Sequence, residues 1–254
     1  MAVKPLPEFN IVFFGEFGVG KSTTINSFAN FFKHLDFNEA RTSELLNPIP
    51  VKFFMTNPLN GQKIVIESGE SSGQQDGLLP MAYSFQFADR VIRLIDTPGV
   101  GSEPDSSLDS TFDYLTRHKQ LHAICIVVKS TVTTISPAFR FLIAQLLARL
   151  DKSALDNIIM CFTHSSVSFY GPNESFATLN DLLANQLGID LELSPEENCF
   201  FIENEPYRFL VVKNKYPFTT SQAVSYKASW DRSVEQVEAM MSNIFYLEPY
   251  CLKN

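Results

Sequence analysis

The sequence contains a phosphate-binding loop in the context that such a loop requires. Residues 15–22 read G-E-F-G-V-G-K-S, which fits the pattern G-x-x-x-x-G-K-[ST]; the apolar run 11–14 precedes them and the helix-like segment 23–28 follows. Glycines let backbone N–H groups converge on phosphate oxygens, and the loop delivers the anion to a helix N-terminus that carries partial positive charge. Because strand, loop and helix stand in this order, the segment is predicted to bind phosphate rather than to form an ordinary glycine-rich turn.

Side chains and backbone of this loop have different expected roles. Lys21 is expected to reach the β- and γ-phosphates, and Ser22 is expected to ligate Mg²⁺. The backbone from Glu16 onward would cradle the anion. The predicted nucleotide-binding residues of this segment are Glu16, Phe17, Gly18, Val19, Gly20, Lys21, Ser22 and Thr23.

Composition limits the class of protein. The chain has 254 residues, 45% of them hydrophobic, which is enough for one large core, so we expect a single domain over 1–254 with its core at about 9–245. A formal net charge of -8 argues against nucleic-acid partners. No apolar run approaches the ~18 residues of a membrane span, so we expect no membrane insertion by this segment. Four cysteines without C-x-x-C spacing fit free thiols in a reducing cytosolic or nuclear compartment, and we expect a cytoplasmic protein.

Strand-like and helix-like stretches alternate through most of the chain. This alternation is typical of a mostly parallel α/β sheet with helices on both faces, which makes three layers. Segments 51–56 and 63–67 flank a turn and predict an inserted β-hairpin, and a second hairpin is predicted at 82–87 and 90–95. Further strands are predicted at 123–128, 158–163 and 198–203, and further helices at 21–33, 136–147, 176–187 and 225–244.

A second motif, D-T-P-G at residues 96–99, narrows the function. It follows an apolar strand, so Asp96 can hold a Mg²⁺-bound water and the N–H of Gly99 can bind a γ-phosphate. Loss of that phosphate on hydrolysis would release the segment from Gly99 onward, which is how a GTPase switch converts chemistry into shape. We therefore assign the catalytic roles to Lys21 and Gly99.

In these motifs the chain resembles the septin-like GTPases, a group of TRAFAC P-loop GTPases. Two later segments are similar to the chloroplast-envelope Toc receptors and the immunity-associated GTPases. Ordinary GTPases identify guanine with [NT]-K-x-D, whereas residues 162–166 here read F-T-H-S-S. The resemblance to the Toc pattern implies that Thr163 belongs to the base pocket and that His164 packs against guanine.

Residues 201–205 read F-I-E-N-E, which is similar to the I-E-N stretch that completes the base pocket in Toc receptors. The resemblance implies that Glu203 and Asn204 contact the edge of the base. It spans about residues 9–244, and it implies the P-loop GTPase fold, GTP or GDP with Mg²⁺ as ligands, and a homodimer formed across the nucleotide face.

The chain departs from the usual GTPase pattern at several positions. Ser166 stands where the guanine-reading Asp would be, so the preference for guanine over adenine is less secure than nucleotide binding itself. Val100 follows Gly99, where many signalling GTPases have a glutamine that orients water, which predicts slow intrinsic hydrolysis. A dimer partner could supply the missing group from Arg117, Arg140 or Lys129, although these side chains are also compatible with solvated surface charges.

The Mg²⁺ ligand of the first switch region is open among Ser71, Ser72 and Thr42, of which Ser72 lies nearest the expected distance ahead of Asp96. The sequence thus predicts an Mg²⁺-dependent guanine-nucleotide-binding domain that hydrolyses GTP slowly and uses its nucleotide state to control association. Two alternatives remain open: a nucleotide-binding assembly module without significant hydrolysis, and a P-loop ATPase.

Overall fold

The computed structural model of the protein describes residues 5–57, 60–69, 79–101 and 107–252. Its strands are β1 (Glu8–Phe14), β2 (Val51–Thr56), β3 (Lys63–Ser68), β4 (Met81–Phe87), β5 (Arg90–Asp96), β6 (Gln120–Leu121), β7 (Ala123–Lys129), β8 (Ile158–Thr163), β9 (Cys199–Phe201) and β10 (Tyr250–Cys251). Its α-helices are α1 (Lys21–Lys33), α2 (Phe37–Thr42), α3 (Ser107–Leu115), α4 (Pro137–Arg149), α5 (Glu174–Asp181), α6 (Glu205–Val212) and α7 (Thr220–Tyr246). Short 3₁₀ segments occupy Thr116–His118, Lys152–Asn157 and Ser165–Ser168, and a π-helical turn at Leu182–Gln186 continues α5.

A six-stranded sheet with the order β4-β5-β1-β7-β8-β9 forms the centre of the molecule. Strands β5, β1, β7, β8 and β9 are parallel to one another, and the edge strand β4 is antiparallel to β5. The predicted insertion is a separate antiparallel hairpin of β2 and β3, which pair from Val51 opposite Ser68 to Thr56 opposite Lys63. The three-layer α/β prediction, with its mostly parallel sheet and inserted hairpin, is confirmed.

Each face of the sheet has its own hydrophobic core. Strand β7 shows why, because successive side chains of a strand point to opposite faces. Cys125 and Val127 belong to the core under α1, α2, α6 and α7, whereas Ile124 and Ile126 belong to the core under α3, α4 and α5. The first core contains the fully buried Trp230 of α7.

The structure differs from the sequence prediction mainly around β9. The last strand of the sheet ends at Phe201 instead of residue 203, and α6 follows from Glu205 with Pro206 in its first turn. Proline is favoured there because the first helical N–H groups have no partner inside the helix. Helix α7 begins at Thr220, earlier than expected, because Thr219 and Gln222 form a capping box. Glu203 and Asn204 therefore lie in a strand-to-helix connection and not on a strand.

Cys125, Cys161 and Cys199 are buried free thiols, as expected, and Cys251 is exposed. In the ranges that the structure describes, no helix combines the length and the hydropathy needed to cross a membrane.

Candidate functional site

One cavity of about 510 Å³ lies at the edge of the sheet where β1, β5 and β8 end. Open α/β sheets bind their ligands at the carboxyl ends of the strands. The sequence-predicted residues that line it are Phe17, Gly18, Gly20, Lys21, Ser22, Thr23, Asp96, Gly99, His164, Glu203 and Asn204. The fold therefore brings together residues that are up to about two hundred positions apart in the sequence.

Other predicted residues lie beside the cavity without lining it. The Val19 side chain is buried in a core, and the Glu16 carboxylate accepts a hydrogen bond from Ser136, the N-cap of α4. Thr42 ends α2, where its hydroxyl donates to the carbonyls of Asn38 and Glu39, so it does not extend towards the cavity. Ser71 and Ser72 lie outside the described residues.

The phosphate loop ends in a helix N-terminus that has no side-chain cap. Helix α1 begins at Lys21, and its N-cap residue Gly20 has a left-handed φ of 102°. A side chain at this position would be strained, which is a physical reason for a glycine here. The first backbone N–H groups of α1 have no carbonyl partner within the helix, so they are suited to an anion.

Lys21 is held beneath the loop. Its Nζ donates to the carbonyl oxygens of Gly15 and Glu16, both at 3.1 Å. Burial lowers the pKa of Lys21 to about 8, although the nearby carboxylates of Asp96 and Glu16 favour its charged form. Such a desolvated ammonium gains from a phosphate group, because the anion would restore the stabilisation that burial removes.

Ser22 and Asp96 form a pair of oxygen ligands with room for a cation. The Ser22 hydroxyl donates to Asp96 Oδ2 at 2.7 Å, and burial raises the pKa of Asp96. Asp96 Oδ1 is buried and has no hydrogen-bond partner within the described part of the chain. A hydroxyl and a carboxylate with a free lone pair fit Mg²⁺, which prefers hard oxygen ligands.

The D-T-P-G segment is bonded directly to the phosphate loop. The N–H of Val100 donates to the Gly15 carbonyl and the N–H of Phe17 donates to the Val100 carbonyl, both at 3.1 Å. The Thr97 hydroxyl donates to the Phe13 carbonyl at 2.7 Å. The Val100 side chain is only 2% exposed and belongs to the core under α3, α4 and α5. A side chain at position 100 therefore points into the core and cannot orient a water molecule in the cavity.

Thr163 and His164 close the site at the end of β8. The Thr163 hydroxyl donates to the Val19 carbonyl at 2.9 Å, so it supports the phosphate loop from behind. His164 has a left-handed φ of 56° and borders the cavity. Burial lowers the pKa of His164, and Lys129 lowers it further while Glu203 opposes the shift. The imidazole is therefore neutral near pH 7, a flat ring suited to packing against a base.

Glu203 and Asn204 have different surroundings. Glu203 is 3% exposed, and its carboxylate accepts from the N–H groups of Ser166 at 3.1 Å and Glu205 at 3.2 Å. A carboxylate accepts more hydrogen bonds than these, so Glu203 keeps capacity for a ligand. The Asn204 side chain is bound to α1 instead: it donates to Thr24 and accepts from Ser27, both at 2.9 Å. Those contacts follow from its place at the start of α6, and its contact with a base edge stays a prediction.

Sequence reasoning missed two parts of the wall. One is the hairpin segment from Pro50 to Phe54, and the other is the first turn of α6, with Glu205 and Arg208. No motif marks the hairpin as part of a site. The Glu205–Pro206 helix start would have placed Arg208 one turn after Asn204, on the same helix face.

The structure separates the candidates for a group supplied in trans. Arg117 adjoins His118, which lies near Glu8 and Arg93. Glu8 begins β1, and the phosphate loop follows the other end of that strand, about 20 Å away at ~3.3 Å per strand residue. Arg117 therefore lies far from the phosphate loop of its own copy, and its role in trans stays a prediction. Arg140 is exposed in the first turn of α4, the helix whose N-cap Ser136 donates to the Glu16 carboxylate of the phosphate loop.

Comparisons with known proteins concern the family and the fold of the chain. A family model described as 50S ribosome-binding GTPase matches residues 10–164, which is more than half of the chain. No curated protein matches the sequence. The fold is similar to Toc33 from Arabidopsis thaliana in complex with GDP and Mg²⁺, at 14% identity and a TM-score of 0.58, covering 98% of this chain and 89% of that one.

Toc33 in complex with Mg²⁺ and GMPPNP is similar at 14% identity and a TM-score of 0.53, covering 94% of this chain and 85% of that one. A structure of the chloroplast translocon components atToc33 and psToc159, for whose GTPase activity dimerization is important, is similar at 13% identity and a TM-score of 0.55, covering 98% and 87%. At these identities the likeness concerns the fold, which is that of a P-loop GTPase resembling the Toc receptors. From the family match, together with the phosphate loop and the D-T-P-G segment at one cavity, the chain belongs to the 50S ribosome-binding GTPase family and is a GTP-binding GTPase domain.

Proposed function

We propose that this domain binds guanine nucleotides with Mg²⁺, hydrolyses GTP slowly, and uses the bound nucleotide to control its association with a second copy of itself. The observation that carries the proposal is the convergence of Lys21, the Ser22–Asp96 pair, His164 and Glu203 on one cavity. When bound, Mg²⁺ would neutralise the negative charge of the phosphate groups. Ser22 and Asp96 are the residues that would hold it.

Guanine preference is assigned to Glu203. Guanine presents a ring N–H and a neighbouring amino group on one edge. The corresponding ring nitrogen of adenine is an acceptor, so a carboxylate acceptor in the pocket favours guanine. Glu203 is positioned by the N–H groups of Ser166 and Glu205. It would supply the carboxylate that ordinary GTPases have at the position of Ser166. His164 would pack against the face of the same base, as the Toc resemblance implies.

Slow turnover follows from Val100. Its side chain is in the core, so an attacking water would need a group from elsewhere, and the exposed Arg140 beside the loop is the candidate in a dimer. The same observation favours a second candidate function, a nucleotide-binding assembly module without significant hydrolysis. Single-turnover measurement of GTP cleavage at increasing protein concentration separates the two, because only a dimer-activated GTPase accelerates.

Association across the nucleotide face is supported by two exposed aromatic side chains, one in the phosphate loop and one in the segment that follows His164. Phe17 of the phosphate loop is 86% exposed, and Phe169, which follows the turn after His164, is 88% exposed. Large apolar side chains grouped on a surface mark interaction sites in soluble proteins. Phe17 lines the cavity itself, so a contact made through this side chain would depend on the ligand.

The test of base recognition is a calorimetric titration of the nucleotide-free protein with GDP, GTP and ATP in Mg²⁺, with wild type and Glu203→Gln. The amide keeps the size of the side chain but turns one acceptor into a donor. We expect guanine affinity to fall by about 10- to 150-fold, as for a hydrogen bond to a charged group, with little change for ATP. Glu197→Gln, on the surface before β9, is the control. Equal losses for GTP and ATP, or a wild type that prefers ATP, would contradict the assignment.

A further inference from the structure

The hairpin of β2 and β3 forms one wall of the cavity although it does not belong to the main sheet. Its strands pair with each other and not with the six-stranded sheet. Residues from Pro50 to Phe54 line the same cavity as Lys21 and His164. Phe54 and its cross-strand partner Val65 are 54% and 48% exposed. The hairpin is therefore held to the body of the domain by side-chain contacts, including the burial of Val51 and Ile66, and not by strand pairing with the main sheet.

Arg208 makes several of these contacts at once. Its guanidinium lies over the ring of Phe53, 4.4 Å from the ring centre, and its Nη2 donates to the Phe54 carbonyl at 2.5 Å. Its Nη1 donates to the carboxylate of Glu205 on the same helix, which fixes the guanidinium in place. Arginine is suited to this combination, because its planar group stacks on a ring and presents donors in a fixed fork.

The helix that carries Arg208 also follows directly from the residues at the base side of the cavity. The N–H of Arg208 donates to the Asn204 carbonyl at 3.2 Å, so Arg208 lies one turn after Glu203 and Asn204. Asn204 is in turn bound to Thr24 and Ser27 of α1. One short segment thus connects the phosphate-loop helix, the acceptor for the base and the hairpin wall.

We propose that Arg208 is a positioning residue of the nucleotide site: it holds β2 against the cavity and so slows the release of bound nucleotide. The proposal rests on the proposed function, since it concerns the same ligand. It assigns no contact between Arg208 and the nucleotide. Removing the guanidinium should let the hairpin move away from the cavity and open a path for the ligand, while the base and phosphate contacts remain.

The test compares Arg208→Ala and Arg208→Lys with a matched arginine variant. Arg149→Ala is the control, because Arg149 also lies over a ring, that of Phe112 at 5.2 Å, and also pairs with a carboxylate, that of Asp109. The two side chains have similar exposure, 24% for Arg208 and 28% for Arg149, but Arg149 is on α4 away from the cavity. The readout is the release rate of fluorescently labelled GDP after addition of excess unlabelled GDP.

We expect release from Arg208→Ala to be about tenfold faster or more, as for loss of a cation–π contact with a hydrogen bond to a charged donor. Arg208→Lys should fall between this variant and wild type, because a lysine keeps the charge without the fork. Release from Arg149→Ala should equal wild type. Phe53→Leu, which removes the ring from the other side of the contact, should also speed release and serves if Arg208→Ala fails to fold.

A second readout does not require nucleotide. Lys52 and Lys63 are exposed trypsin sites on the hairpin, and Arg208→Ala should be cut there faster than Arg149→Ala in the nucleotide-free protein. Equal release rates for Arg208→Ala and Arg149→Ala would overturn the proposal even where wild type binds GDP tightly. If wild type bound no guanine nucleotide, the proposed function would fail instead, and the trypsin rates would still decide whether Arg208 holds the hairpin.

Discussion

Gly99 is predicted to tolerate no side chain, because the phosphate loop passes directly over it. A Cβ built on Gly99 would lie 2.6 Å from Phe17 Cα, 2.9 Å from Phe17 N and 3.1 Å from Lys21 Nζ. The first two contacts are with backbone and cannot be relieved by a rotamer change. In Gly99→Ala either the loop or the D-T-P-G segment must therefore move, at a cost of about 1–3 kcal/mol of unfolding free energy. For a chain of this size that lowers Tm by about 2–12 °C.

The movement should also damage ligand binding, because Phe17 donates to Val100 and Lys21 lies beneath the same loop. Urea unfolding without nucleotide measures the stability loss, and calorimetry with GDP and a non-hydrolysable GTP analogue in Mg²⁺ measures the binding loss. We expect the analogue to lose more affinity than GDP, since Gly99 is assigned to the γ-phosphate. Gly101→Ala is the control, because a Cβ there meets no heavy atom of the described residues within 4 Å. The reasoning is refuted if the two alanine variants have the same stability and the same affinities.

Two further predictions concern the charge and the surface of the site. Burial lowers the pKa of Lys21 from 10.5 to about 8, so the folded state loses this proton at a lower pH than the unfolded state does. The free energy of unfolding of wild type should therefore rise relative to that of Lys21→Met between pH 8 and 10.5. Urea unfolding across this window should show a gain of up to about 3 kcal/mol, and a flat difference would contradict the assignment. Phe169 has a left-handed φ of 53°, which asparagine tolerates, so Phe169→Asn should abolish nucleotide-dependent dimers in sedimentation while leaving the monomer folded. Tyr246→Asn, at a side chain that is 90% exposed on α7, should not, and equal dimerisation of both would contradict the proposed interface.

The parts of the site that the sequence predicted are those that a local pattern determines. The phosphate loop has fixed spacing, and its strand and helix follow from hydrophobic periodicity. Ser22 and Asp96 are far apart in the chain, yet their contact was foreseeable, because each follows or ends a buried strand and parallel neighbours end at one edge of the sheet. Their hydrogen bond at 2.7 Å agrees with that expectation.

The remaining features depend on packing that no short pattern encodes. Arg208 is one of many arginines, and only the position of the hairpin gives its guanidinium a ring and a carbonyl to bind. Asn204 looked like the end of a strand, but β9 is short and α6 starts at once, so its side chain turns to α1. The Val100 side chain could equally have faced the ligand, and its place in the core follows from the backbone bonds to the phosphate loop.

The backbone bridge between Glu16 and Val100 opposes small separations of the D-T-P-G segment from the phosphate loop. Its two hydrogen bonds join the phosphate loop to the residue after Gly99, and both must break before that segment can separate. A partial opening gains little, because each released N–H and carbonyl group must find another partner. The domain should therefore occupy discrete open and closed forms. Nucleotide would change the fraction of molecules that are closed, and not how far each molecule closes.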